Sequence, residues 1–258
     1  MKTSAHWLVK IVMAMMVFSF VICSTLVWAE CKNDDRFTKD FRLDDCTFAN
    51  DDSEGANPYF SLTPGYRLVL AGEEDGEEIF VVITVTGDTK SVGEVETRVV
   101  QEFEWVDGEL VEKSWNYFAR CNETNAVYYF GEWVENYEDG EFTDNAGSWR
   151  ADEGDNKPGL MMPGTFILGS RYFQEWAPEE DAVDRGENTR MNLEIEVEAG
   201  SFEECVEVVD TNPAERVCKT KDGDVKIYCP GIGLVMDEEI ELICEGYGDD
   251  CPDEPDDE

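Results

Sequence analysis

Residues 98–106 read RVVQEFEWV, and the chain then passes Asp107-Gly108 into ELVEKSWNYF, residues 109–118. In the first run Val99, Phe103 and Trp105 fall on one side, and Arg98, Glu102 and Glu104 on the other. A period of two, rich in β-branched and aromatic residues, describes a strand with one buried and one wet face. An Asp-Gly pair between two such runs marks a hairpin. The expectation is that Val99, Phe103 and Trp105 meet the core while Glu102 and Glu104 meet water.

The same rhythm extends in both directions. In NLEIEVE, residues 192–198, Leu193, Ile195 and Val197 oppose Glu194, Glu196 and Glu198. EEDGEE, VTGDTK, EDGEF and TKDGDV punctuate the runs as further turns. No segment carries an apolar repeat of 3.6 over ten residues; at most a short helical turn fits Ala177 to Arg185, with Pro178 at its first position. The stretch EGDNKPGLMMPGTFILGS, residues 153–170, breaks the rhythm and reads as a long connection or a lid. The fold class is therefore all-β: one strongly curved antiparallel meander or partly open barrel of about eight to eleven strands, with a β-sandwich as the runner-up.

The amino terminus carries a different signal. Lys2 and Lys10 precede an apolar stretch that ends in LVWA, with Val27 and Ala29 at the small-residue positions of a cleavage site. This is the pattern of a secretory signal peptide over residues 1–29, and the membrane is met only for export. Neither Cys23 nor Cys31 follows a small residue, which argues against lipid attachment. Cleavage removes Cys23 and His6, the only histidine, and leaves Cys31, Cys46, Cys121, Cys205, Cys218, Cys229, Cys244 and Cys251. An even set of cysteines in an exported chain points to disulfides. The pairing expected from spacing is Cys31–Cys46, Cys205–Cys218, Cys229–Cys244 and Cys121–Cys251. Residues 30–56 then form an acidic extension with a local bridge, 57–245 the β-domain, and 246–258 a disordered acidic tail.

Charge and composition narrow the function. The net charge of −40 repels nucleic acid and anionic lipid. The acidity reads as a solvated surface, as weak divalent-cation binding, or as attraction to a basic partner. Without histidine, Ser-His-Asp and Cys-His catalysis and imidazole-based zinc or copper sites are excluded from the mature chain.

Several phrases, in order, resemble an exported bacterial family: NPYFSLTPGYRLVLAG at 57–72, KPGLMMPG at 157–164, RYFQEWAPEEDAVD at 171–184 and YCPGIGLVMDEE at 228–239. Its members open with a similar Asn-Pro-Tyr-Phe phrase and close with Tyr-x-Pro-Gly-x-Gly-Leu-Val. The resemblance covers roughly 57–243 and implies an exported, β-rich domain of uncharacterised activity. The cysteines and the acidic extensions depart from that pattern. On the residues themselves, Tyr59, Phe60 and Leu62 are expected to plug one end of the core, and Gly231 and Gly233 to permit a bend.

Three kinds of site remain. Trp105, Trp115, Tyr117, Tyr128 and Trp176 are either core or the aromatic lining of a concave ligand face. Asp139, Glu141, Asp144, Asp152 and Asp155 sit in glycine-containing loops suited to calcium, although none matches the twelve-residue calcium loop. Glu175 and Glu180, beside Trp176, are the candidate pair for a carboxylate-dependent glycan hydrolase. The favoured reading is a noncatalytic binding or structural protein of the cell envelope, without cofactor unless calcium, and with an envelope ligand or protein as partner.

Overall fold

The structure is a computed structural model that describes residues 35–53 and 55–255. The expected signal peptide and Cys31 lie outside the described residues. All described secondary structure falls in one compact unit, Arg36–Glu258.

Sixteen strands form it: β1 Phe48–Ala49, β2 Tyr66–Glu74, β3 Glu77–Val92, β4 Val95–Val106, β5 Glu109–Cys121, β6 Val127–Glu138, β7 Glu141–Asp144, β8 Trp149–Arg150, β9 Lys157–Met162, β10 Arg171–Phe173, β11 Glu175–Trp176, β12 Arg185–Val197, β13 Gly200–Thr211, β14 Asp224–Cys229, β15 Gly233–Asp237 and β16 Ile240–Tyr247. Thirteen of them pair in the order β10-β12-β13-β14-β15-β16-β2-β3-β4-β5-β6-β9-β11, and the named strands pair antiparallel throughout. Only Gln174 separates β10 from β11, yet these lie at opposite ends of that order. The sheet must therefore roll until its edges meet, and the result is a nearly closed barrel.

Three hairpins turn where Asp-Gly pairs stand: Asp75-Gly76, Asp107-Gly108 and Asp139-Gly140 all have positive φ at both residues. That is the geometry whose twist matches a two-residue hairpin. Other expectations fail locally. VTGDTK is a bulge inside β3, where pairing with β4 slips between Val85 and Thr89. TKDGDV is a short 3-10 turn, Thr220–Asp222, leading into β14. Residues 177–182 close a bridge between Ala177 and Ala182 instead of starting a helix, since so short a segment cannot sustain helix nucleation. The supposed connection at 153–170 contains β9, which bridges β6 and β11.

The largest correction concerns which side is inside. Glu102 and Glu104 face the barrel interior, and Phe103 and Trp105 lie outside. Alternation distinguishes two faces but does not say which one is enclosed. Here the outside also carries a cover. Phe41, Leu43, Cys46 and Phe48 pack over Val99, Tyr117, Tyr128 and Phe130 on the outer wall. At the other terminus Cys251 is buried with Val69 and Val82, and Arg67 donates to its carbonyl at 3.2 Å. The segment 246–255 is thereby tied to the wall. Elsewhere the alternation serves as expected: Leu193, Ile195 and Val197 join the core while Glu194, Glu196 and Glu198 are exposed.

The disulfides differ from the spacing argument. Cys46 bonds Cys121, Cys205 bonds Cys229 and Cys244 bonds Cys251, and Cys218 is also disulfide-bonded. Strand register decides this. Val206 pairs with Tyr228, so the next residues, Cys205 and Cys229, meet across β13 and β14 with their Cα atoms 4.2 Å apart. Cys218 falls in the intervening loop.

Candidate functional site

Within the barrel lies a cavity of about 360 Å³. Its chemistry changes along its length, and strand register shows how. On β4 the inward residues run Val100, Glu102, Glu104; across on β5 they run Phe118 and Asn116 toward Glu112. On β13 they run Val206, Val208, Asp210, paired with Tyr228, Lys226 and Asp224 on β14. Each strand thus steps from apolar to charged in the same direction. Tyr59, Phe60, Val85 and Phe118 line one end, with Leu68, Leu70, Val81 and Ile83 along the β2–β3 wall. Buried Leu62 packs in the same core, and Asn57 fixes the entry phrase by accepting from the Tyr59 amide at 2.9 Å and donating to the Asn125 carbonyl at 2.8 Å.

The opposite end is acidic. Nine carboxylates line the cavity, those of Glu74, Glu102, Glu104, Glu175, Asp184, Asp210, Asp224, Asp237 and Glu238, against one cation, Lys226. Lys226 Nζ donates to Asp237 Oδ2 at 2.7 Å. Burial opposes the ammonium charge, but Asp237 and Asp210 outweigh it and hold the group protonated.

Most of the acids are pushed toward neutrality, and burial is the first cause. Burial raises Glu102 to about 7, with Asp237, Glu112 and Glu104 adding repulsion and Lys226 opposing. Glu102 is half-buried, and it lines the cavity. Burial takes Asp210 to about 7 against the pull of Lys226, and Asp184 to about 6. Glu132, paired across β5 and β6 with the lining residue Asn116, reaches about 8 although a hydrogen bond with Tyr129 lowers it. Glu175 stands well above the usual carboxylate range through burial, then through Asp184 and Glu132. Near pH 7 the cavity therefore holds a mixture of neutral and ionised carboxyls.

Two buried atoms of the lining have no hydrogen-bond partner, Gln174 Oε1 and Asp210 Oδ1. Gln174 is only 3% exposed. The amide oxygen of Gln174 is an acceptor, and Asp210 Oδ1 is one when its carboxyl is ionised. The close approach that carries Gln174 here depends on Gly159, whose hypothetical Cβ would stand 2.0 Å from the Gln174 carbonyl oxygen.

Of the catalytic, aromatic and calcium candidates named from the sequence, Glu175 lines the cavity and the others lie elsewhere, while Tyr59 and Phe60 plug its apolar end as expected. Glu180 is exposed on the turn between Ala177 and Ala182, so it does not join Glu175. Trp105, Trp115, Tyr117, Tyr128 and Trp176 are absent from the lining. Tyr117 and Tyr128 are buried on the outer wall under the amino-terminal cover, and Trp105 and Trp115 are half-buried on the same outer side. Trp176 packs edge-on to Phe173 with the Lys39 ammonium 4.7 Å from its ring centre. Asp139, Glu141, Asp144, Asp152 and Asp155 are exposed. Asp144 accepts from Asn136 Nδ2 and the Ala146 amide, and Asp152 pairs with Arg150. Among the described residues, the one set of three acidic, Cys or His ligand atoms within 4.8 Å of one another is Cys46, Cys121 and Glu123, and its two sulfurs are bonded together.

The residues missed from the sequence are Glu102, Glu104, Asp184, Asp210, Gln174 and Lys226. One signal was present: in DVKIYC, residues 224–229, Asp224, Lys226 and Tyr228 share a face opposite Val225 and Ile227. A charged residue beside a tyrosine on a central strand marks a polar interior as well as it marks a wet surface.

Comparison with family models, curated proteins and solved structures finds no match to this chain.

Proposed function

We propose that this is an exported, noncatalytic binding protein of the cell envelope that takes a small ligand into its barrel. The 360 Å³ cavity inside the barrel carries the reading, because a concave pocket of that size, with an apolar wall and polar groups converging at one end, is the usual form of a small-ligand site. The three disulfides among the described residues fit an oxidising compartment. The resemblance of the phrases at 57–72 and 228–239 to an exported β-rich family supports the same location. Among the described residues no helix is long and apolar enough to cross a membrane. The test is native mass spectrometry of protein purified from its own host under gentle conditions. A mature chain starting at Glu30 with a bound small molecule is expected; a chain retaining residues 1–29, or one that never carries or accepts a ligand, contradicts the reading.

A carboxylate-dependent glycan hydrolase is the second reading. What favours it is Glu175, whose carboxyl is raised well above the usual range by burial and then by Asp184, a pair of carboxyls placed to share acid and base roles. Turnover of aryl glycosides that Glu175→Gln abolishes would establish it, and no turnover across such a panel removes it.

A further inference from the structure

The direction of the cavity's polarity says what kind of molecule fits. The inward residues of β4, β5, β13 and β14 all grade from apolar to charged toward the same end. An occupant matching both ends has an apolar body and a polar head. At the polar end the lining acids outnumber the single lysine nine to one, so an anionic head is repelled. Gln174 Oε1 lacks a donor, and so does Asp210 Oδ1 once its carboxyl is ionised, and a buried acceptor left unpaired is costly until a donor arrives. A hydroxyl head supplies one hydrogen, an ammonium up to three together with a charge.

A bare metal ion fits poorly. It requires several oxygens converging on one point, and among the described residues no three of these cavity carboxylates bring oxygens within 4.8 Å of one another. The acids are instead spread around the wall, as suits an ammonium that engages some of them directly and the rest at longer range.

We propose that the cavity binds an amphipathic organic amine, its apolar body between the β2–β3 wall and Phe60 and its ammonium head among Asp210, Glu102 and Gln174. This rests on the binding reading above and adds the ligand class. The raised carboxyls agree with it. In the empty cavity Glu102 and Asp210 are partly neutral near pH 7, and an arriving ammonium favours their ionised forms.

The test is calorimetric titration of the purified, disulfide-intact protein with decylamine, decanol, decanoate, spermidine and calcium chloride at about pH 8, above the values of Glu102 and Asp210. Decylamine is expected to bind at least about tenfold more tightly than decanol, with decanoate and calcium silent. The variant carrying Glu102→Gln and Asp210→Asn, shown by near-ultraviolet circular dichroism to be folded, is expected to bring the two affinities together. Equal binding of decylamine and decanol by the unsubstituted protein, or an unchanged preference in the variant, overturns the amine head while leaving a binding cavity. Spermidine or calcium binding with decylamine silent overturns the amphipathic ligand. If none of the five binds, the binding reading falls with it.

Discussion

Lys226 stands alone among the acids of the cavity, and its loss tests how they are held. Its ammonium pairs with Asp237 and pulls down both Glu102 and Asp210. Removing one member of a buried pair strands the other's charge. A quarter of each side chain still sees the cavity, so Lys226→Met is expected to cost about 2–3 kcal/mol at pH 7.5, below the full buried-pair cost. The sign with pH follows from the raised carboxyls. At about pH 5 Glu102 and Asp210 are protonated in the fold, and fewer bare charges remain for the lysine to offset. Urea denaturation of both proteins at the two pH values checks this: a smaller loss in acid supports the arrangement, and an equal loss contradicts it. These residues were hard to find in the sequence for a physical reason. Asp210 and Glu102 sit on strands where charge is common on a wet face, and only closure of the sheet turns that face inward.

At the scale of elements, the turns were legible and the closure was not. Asp107-Gly108 and its two counterparts specify their own backbone, since Asp and Gly tolerate positive φ. β9 carries no comparable local mark: Pro158 and Gly159 read as loop, and their role exists only against β6 and β11. Gly159 is the clearest element-scale test. A methyl group there would collide with the backbone of Gln174 and Glu175, the residues that join the barrel edges. Gly159→Ala is expected to destabilise by about 1–3 kcal/mol or more, as overpacking does, and to weaken ligand binding because Gln174 shifts. A thermal melt unchanged from the unsubstituted protein would contradict the close approach. The cysteine pairing was illegible for the same reason: a spacing of 24 between Cys205 and Cys229 becomes a contact only through the β13–β14 register.

The unit Arg36–Glu258 is an acidic barrel fastened from outside. The Cys46–Cys121 bridge fixes the amino-terminal cover to β5, and Cys244–Cys251 fixes the carboxyl-terminal segment to β16. The Cys205–Cys229 bridge lies within the wall itself. Replacing both Cys205 and Cys229 by Ser is expected to cost about 2–4 kcal/mol by freeing the unfolded chain, read as a lower urea midpoint; an unchanged midpoint would show that the bridge constrains nothing. The net charge of −40 repels itself. Raising sodium chloride from about 0.05 to about 0.5 M should raise the melting temperature by screening. Calcium at matched ionic strength should add nothing, because the loop acids of residues 139–155 do not converge; a large response to low calcium would contradict that.

The central claim is that Glu102 and Asp210 point into the barrel and await a cation. Carboxyl carbon NMR of these two side chains, followed through pH in the empty and decylamine-saturated protein, tests it most directly. Both are expected to titrate near pH 7 when the cavity is empty, and to fall by about one unit or more when the amine is bound. Titration near the ordinary value of exposed carboxyls, unmoved by the amine, would contradict the account.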